Sequence, residues 1–293
     1  MSSSKAEERI MPRYAIAIDA KKCVGCYNCF LTCRDEYAGN DYPGYSAAQP
    51  MSGGNWIKVR EVERGTYPYV KVDHMALTCC HCDDAACVKL DQTGAVYRRP
   101  DGIVIIDPLM AKGNKDIVST CPYRRIEWND ELELPQKCTM CAHLLDSGEK
   151  EPRCVESCPS GALVFGDLND PNSKITKLYA SGEFKPLMEE YEMGEKVLYR
   201  GIPGKFVAGT VLYSDINEVA SGINVTLIGP EGEQTACTNG FGDFEFENLP
   251  DNANFTVLIR TPGYMEVAIS AKTSRDIYLG DIKLEKTEKK EKK

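Results

Sequence analysis

C-V-G-C-Y-N-C-F-L-T-C, residues Cys23 to Cys33, sets four thiols at the spacing C-x2-C-x2-C-x3-C. Three thiolates two residues apart can wrap one [4Fe–4S] cubane, and the fourth, carried onto a helix by its longer gap, faces a different one. A partner for Cys23, Cys26 and Cys29, and three partners for Cys33, must therefore lie elsewhere in the chain.

The 293 residues contain 14 cysteines, most of them in tight C-x2-C groups. A disulfide between thiols so close in sequence would be strained, and disulfide scaffolds belong to small secreted chains, so the pattern points to a metalloprotein of a reducing compartment. The net charge of −9 excludes a nucleic-acid partner, because phosphate binding requires clustered Lys and Arg. Residues 1–12 are polar and of mixed charge, which reads as a flexible N-terminus and not as a secretory signal. No apolar run approaches the roughly 20 residues of a membrane span. The chain is expected to be cytoplasmic without membrane insertion, although a subunit lacking a signal can be exported while bound to a partner that carries one.

The second cysteine group reads C-C-H-C-D-D-A-A-C, in which Cys79, Cys82 and Cys87 can wrap another cubane. Cys80 is left over and reads as a small buried hydrophobe. A fourth ligand at the three-residue gap would fall at Asp91, which is not a cysteine. An internal repeat explains the omission. Shifted by 88 residues, Ile18-Asp19 lands on Ile106-Asp107, Gly25 on Gly113, Thr32 on Thr120 and Cys33 on Cys121. Cys23, Cys26 and Cys29 land on Ala111, Asn114 and Ile117. The second copy keeps its framework but loses three ligands, and together with Asp91 these changes delete one whole cluster.

The last group is Cys138, Cys141, Cys154 and Cys158. If paired groups exchange their fourth ligand, Cys158 completes the set of Cys23, Cys26 and Cys29. Cys33 joins Cys138, Cys141 and Cys154, and Cys121 joins Cys79, Cys82 and Cys87. Three [4Fe–4S] clusters result. Zinc also accepts four thiolates, but the opening run and the endings Cys121-Pro122 and Cys158-Pro159 favour iron–sulfur. His81 and His143 adjoin cysteine groups and are expected to hydrogen-bond there without ligating metal. Neither a dinucleotide fingerprint nor a nucleophile arrangement is present, so no catalytic residue is expected in this chain. A cluster closed by four thiolates transfers single electrons, and the substrate chemistry must sit on another chain.

The fold class is α+β. Residues 13–203 form the iron–sulfur domain, with a loop-rich wrap-around connection over 163–203 and a helix expected within 183–196. Residues 204–285 alternate in short runs punctuated by Asn-Gly and Pro-Gly turns, which predicts a seven-stranded, all-β sandwich of immunoglobulin/transthyretin-like type. Cys237 stands alone there and reads as packing. Residues 286–293 read as a disordered charged tail.

The motifs C-Y-N-C-F-L-T-C, D-Y-P-G-Y, E-R-G-T-Y-P, D-G-I-V-I-I-D-P, A-K-G-N-K, T-C-P-Y and Q-K-C-T-M-C-A-H-L-L-D carry a resemblance. The chain resembles the iron–sulfur electron-transfer subunits of the molybdopterin oxidoreductases related to dimethyl sulfoxide reductase. Members of that family normally hold four clusters. A cluster-poor member with an appended sandwich is similar to the small subunits of the polyphenol transhydroxylases. The resemblance implies a duplicated ferredoxin-like domain and a heterodimer with a large catalytic subunit holding molybdenum (or tungsten) on bis-molybdopterin guanine dinucleotide. It further implies hydroxyl transfer, hydroxylation or dehydroxylation of a phenolic ring on that partner. Two alternatives are an electron conduit of an exported respiratory reductase and a scaffold protein with structural clusters.

Overall fold

The computed structural model describes residues 11–287 and divides into two units. One holds the chain up to Glu61 together with Asp73–Ile202, and the other holds Val62–Val72 and the chain from Pro203.

Strand β1 (Tyr14–Asp19) is the axis of the first unit. Its side chains alternate between two apolar layers, as a period of two requires. Ile16 and Ile18 join a core with Cys29, Cys33, Tyr37 and Trp56. Ala15 and Ala17 face Ile175 and Phe184 on the other side. Helix α1 (Asn28–Tyr37) follows. Next come the hairpin of β2 (Lys58–Thr66) and β3 (Tyr69–Leu77), helix α2 (Ala86–Leu90), and the short pair β4 (Val96–Arg98) and β5 (Val104–Ile106). Helix α3 (Asp116–Ser119), the pair β6 (Glu127–Asn129) and β7 (Leu134–Gln136), and helices α4 (Ala142–Asp146) and α5 (Arg153–Glu156) complete the cysteine-bearing part.

The connection expected over 163–203 does more than wrap around. Its β8 (Leu163–Asp167) pairs antiparallel with β1, and its β9 (Val197–Arg200) pairs parallel with the opposite edge, so it supplies two strands of a three-stranded sheet. Helix α6 (Lys174–Ala180) lies between them in sequence. The helix expected within 183–196 is reduced to a 3-10 turn at Glu189–Tyr191. Pro186 and Gly194 account for the difference, since proline blocks a helix interior and Gly194 takes a positive φ of 62°.

The second unit is mostly β. Its strands are β10 (Lys205–Tyr213), β11 (Glu218–Val219), β12 (Asn224–Gly229), β13 (Gly232–Cys237), β14 (Asp243–Leu249), β15 (Asn254–Ile259), β16 (Val267–Lys272) and β17 (Ile277–Leu284). This is one more than the seven expected, the addition being the two-residue β11. β10 pairs with β11, β14 and, in parallel, β17; the other sheet runs β13-β12-β15-β16. Alternate residues of both sheets, among them Val207, Val211, Phe244, Phe246, Leu227, Val257 and Ile259, share one core. Cys237 does not pack there but is exposed. Lys286 and Thr287 of the expected tail make contacts, Lys286 with Asp215 (2.8 Å) and Thr287 Oγ1 donating to the Gly263 carbonyl (2.9 Å), and Met265 N–H donates to the carbonyl of the preceding Glu285 (2.7 Å). Residues 288–293, like the expected flexible stretch before Met11, lie outside the described residues.

The hairpin end was not legible as part of this unit. Tyr69 donates from its hydroxyl to Glu245 at 2.6 Å and stacks on Tyr278 with ring centroids 5.6 Å apart. Lys71 pairs with Glu245 and Glu247, and Arg64 donates to the Gly204 carbonyl at 2.6 Å.

Candidate metal centres

The loop after β1 is built to present thiols. Cys23 closes a 3-10 turn by donating its N–H to the Ala20 carbonyl at 3.1 Å. Gly25 and Tyr27 take positive φ values of 66° and 62°, which turn the chain sharply before α1 starts. Gly25 also admits the ring of His74, which an added Cβ would strike. Thr32 on α1 meets Ser157 at 3.0 Å, and this holds α1 beside α5 and the Cys154–Cys158 end of the last group.

Cys29 is buried, and its thiol is pushed up to about 12 by that burial and by the neighbouring sulfurs of Cys23, Cys158 and Cys26. Cys33 is raised well above the usual thiol range by burial and then by Cys138 and Cys141, with Gln49 opposing as a hydrogen-bond donor at 3.9 Å. Burial, then Cys141, Cys138 and Cys33, raises Cys154. Cys82 is raised by burial, then by Cys79, Glu195, Cys121 and Cys87. The Cys87 thiol is pushed up to about 11 by burial and by Cys79 and Cys121, against the pull of the Lys137 charge. The structure thus gathers cysteines far apart in sequence into three neighbourhoods. Between neighbourhoods, Cys29 acts on Cys33 and Cys154, and Cys79 acts on Cys138.

This donor chemistry suits a cluster. Buried thiols such as Cys29, Cys33, Cys82 and Cys154, set near other sulfurs, resist ionising alone and call for a cationic core to neutralise them. Among the described residues, no three His, Cys, Asp or Glu side chains converge closely enough to hold a single metal ion. A cubane distributes its four ligands over four irons.

Backbone N–H groups also point at the sulfurs. Met140 donates to Cys138 at 3.2 Å, Arg125 to Cys121 at 3.4 Å and His81 to Cys79 at 3.5 Å. Met140 and Cys141 both hold positive φ, 54° and 51°, as does His81 at 45°. These strained turns aim donors at the site. Spacing alone does not reveal such donors, nor Gln49, nor the buried Lys137, which donates to the carbonyls of Val104 and Cys138.

The positions emptied of cysteine are filled in another way. Ala111 and Ile117 are buried in an apolar core with Ala95, Val96, Val104 and Ile106. Asn114 donates its N–H to the Ala111 carbonyl at 3.0 Å. Asp91 closes a turn, accepting from Thr93 N–H (3.1 Å), Thr93 Oγ1 (2.6 Å) and Val96 N–H (2.8 Å). Cys80 is buried in the same apolar core. His143 donates or accepts at both ring nitrogens, with Glu36 at 2.9 Å and Tyr37 at 3.4 Å.

Residues 70–168 match the family model described as a 4Fe-4S dicluster domain. The chain is 40% identical over 284 residues to the pyrogallol hydroxytransferase small subunit of Pelobacter acidigallici, covering 94% of this chain and all of that one. It is 31% identical to the arsenate respiratory reductase iron-sulfur subunit of Shewanella sp. (strain ANA-3), over 64% of this chain and 95% of the relative. It is 34% identical to a tetrathionate reductase subunit of Salmonella typhimurium, over 67% of this chain and 75% of the relative. Among solved structures, a shaft pilin of Lactobacillus rhamnosus GG matches 31% of this chain and 49% of its own at 11% identity and a TM-score of 0.26, too slight a likeness to classify the β unit. The cysteine groups and these relatives agree: the chain belongs to the iron–sulfur electron-transfer subunits of the molybdopterin oxidoreductases of the dimethyl sulfoxide reductase family.

Proposed function

We propose that this chain is the electron-transfer subunit of a heteromeric, cytoplasmic enzyme that transfers, adds or removes a hydroxyl group on a phenolic ring. Catalysis resides on a large partner carrying molybdenum or tungsten on bis-molybdopterin guanine dinucleotide. The likeness to the pyrogallol hydroxytransferase small subunit carries this reading, because it extends over 94% of this chain. The arsenate and tetrathionate relatives, which would favour an exported respiratory conduit, match only 64% and 67% of it. Among the described residues no helix is long and apolar enough to cross a membrane.

In this proposal three [4Fe–4S] clusters are held by Cys23, Cys26, Cys29 and Cys158; by Cys33, Cys138, Cys141 and Cys154; and by Cys79, Cys82, Cys87 and Cys121. Support comes from the three neighbourhoods of mutually acting thiols. When bound, the clusters supply one-electron transfer. The protein buries the sulfurs and aims N–H groups at them, which tunes their potentials. The electrostatic influence of Cys29 on Cys33 and Cys154, and of Cys79 on Cys138, supports an order of clusters with the Cys33 set in the middle. At one end Cys26 is exposed, with Val24, Tyr27 and Leu31 exposed beside it, a suitable face for the large partner. We read the second unit as an immunoglobulin/transthyretin-like sandwich, supported by two four-stranded sheets around one core.

Anaerobic purification with the partner tests the proposal. The complex should convert trihydroxybenzenes, and its molybdenum or tungsten should leave with the larger subunit. Activity confined to an inorganic oxyanion would overturn it.

A further inference from the structure

Resting on the cluster assignment above, we infer that His81 donates a hydrogen bond from Nε2 to the cluster of Cys79, Cys82, Cys87 and Cys121 and holds its reduction potential up. His81 is thus a positioning residue of the electron path and not a ligand.

The geometry fixes the tautomer. His81 Nδ1 accepts the N–H of Val104 at 3.1 Å, so Nδ1 offers a lone pair and the ring proton lies on Nε2. The ring is 1% exposed. Nε2 is buried without any hydrogen-bond partner among the described residues. An unpaired buried donor costs about 1–3 kcal/mol, so such groups normally have a partner. His81 lines the same cavity as Cys79, Cys82, Cys87 and Cys121, the thiols that would hold the cluster. The residue also keeps a left-handed backbone, φ 45°, which favours glycine or asparagine. Strain held at a buried, half-bonded imidazole indicates a function.

The direction follows from charge. Reduction adds an electron to the cluster, and an N–H aimed at its sulfur stabilises that extra negative charge. Lys137, 3% exposed and bonded to two carbonyls, adds a fixed positive charge in the same cavity. Glu195, which acts on Cys82, is itself hydrogen-bonded by the Tyr123 hydroxyl. His143 and His74 offer no parallel, since their Nε2 atoms meet Glu36 and Glu61.

The test uses the anaerobically purified complex, with iron counted first. In protein labelled with 15N only at the histidine ring nitrogens, so that the His81 backbone N–H that meets Cys79 stays silent, pulsed EPR should detect a weak nitrogen coupling to one reduced cluster. In redox titrations followed by EPR, His81→Asn, which tolerates the positive φ, should lower the reduced-to-oxidised ratio of one cluster about tenfold at fixed potential. That corresponds to about 59 mV for one electron. The other clusters should be unmoved, and His81→Gln, whose amide reaches the Nε2 position, should restore part of the shift. Unchanged potentials in a fully loaded His81→Asn complex, or absent nitrogen coupling in the unsubstituted protein, would overturn the inference. If His81→Asn fails to load that cluster, the coupling in the unsubstituted protein decides. An unsubstituted complex already short of four irons would overturn the cluster assignment itself.

Discussion

Residues 18–33 and 106–121 are two versions of one design. Both leave an Ile-Asp pair, turn through a glycine at positive φ (66° at Gly25, 76° at Gly113) and end in a helix and a cysteine. The first version presents four thiols, and its helix α1 runs for 10 residues. The second presents one, and α3 is cut to 4 residues. Where the first puts Cys23 and Cys29, the second puts Ala111 and Ile117, both buried among aliphatic side chains. Ordinary apolar packing therefore holds the second turn, while the sulfurs of the first are shaped for a cationic core. Hydrophobic burial is enough to hold the framework where the thiols are absent.

Equivalent substitutions in the two copies should separate those causes. Cys29→Ala is expected to remove about four irons, one cubane, with the remaining sites loaded. Ile117→Ala should leave iron unchanged and lower stability by about 2–5 kcal/mol through the cavity it opens. Iron analysis and anaerobic denaturant unfolding distinguish them, and iron loss in Ile117→Ala would break the comparison. In the same series, Cys33→Ser should damage the cluster of Cys138, Cys141 and Cys154 and spare the one beside it in sequence.

The turn glycines give a smaller contrast. Gly113→Ala meets no atom within 4 Å, so its cost is the left-handed backbone alone, about 1–2 kcal/mol. Gly25→Ala adds a collision with the His74 ring and should cost more, with lower iron loading. Equal effects would show that His74 yields freely.

Asp91 is expected to show the smallest effect. Burial would raise its carboxyl pKa, but the Thr93 hydroxyl and the N–H groups of Val96, Thr93 and Ala95 hold it below the usual range. A depressed carboxylate contributes stability above the unfolded pKa of about 3.9, and that stability is lost as pH falls through the lower folded value. Asp91→Asn should therefore cost about 1 kcal/mol by a margin that stays constant between about pH 5 and 8. A margin that changes across this window in unfolding experiments would show that another group governs the turn.

Much of the chemistry was legible in the sequence because cysteine spacing is a strict signal. The 88-residue repeat set Ala111, Asn114 and Ile117 against Cys23, Cys26 and Cys29, and the three-residue gap after Cys87 pointed to Asp91. What escaped was held by long-range contacts. β8 and β9 are short and set among polar residues, so pairing with β1 makes them strands. Val62–Val72 lies far in sequence from the β unit it joins. Local periodicity does not register partners such as Tyr278 and Glu245 for Tyr69. His81 was visible beside its cysteines, but its tautomer depends on Val104, which only the folded chain brings near. Cys237 was misjudged because alternation does not reveal which face of an edge strand is covered.

The central claim is that one copy lost its cluster and the others were retained. Iron per chain in the anaerobically purified complex, with metal on the large partner counted separately, tests it most directly. About twelve irons, four for each of three cubanes, is the predicted result. About sixteen would contradict it, because a fourth cluster would then have to sit where Ala111 and Ile117 now pack.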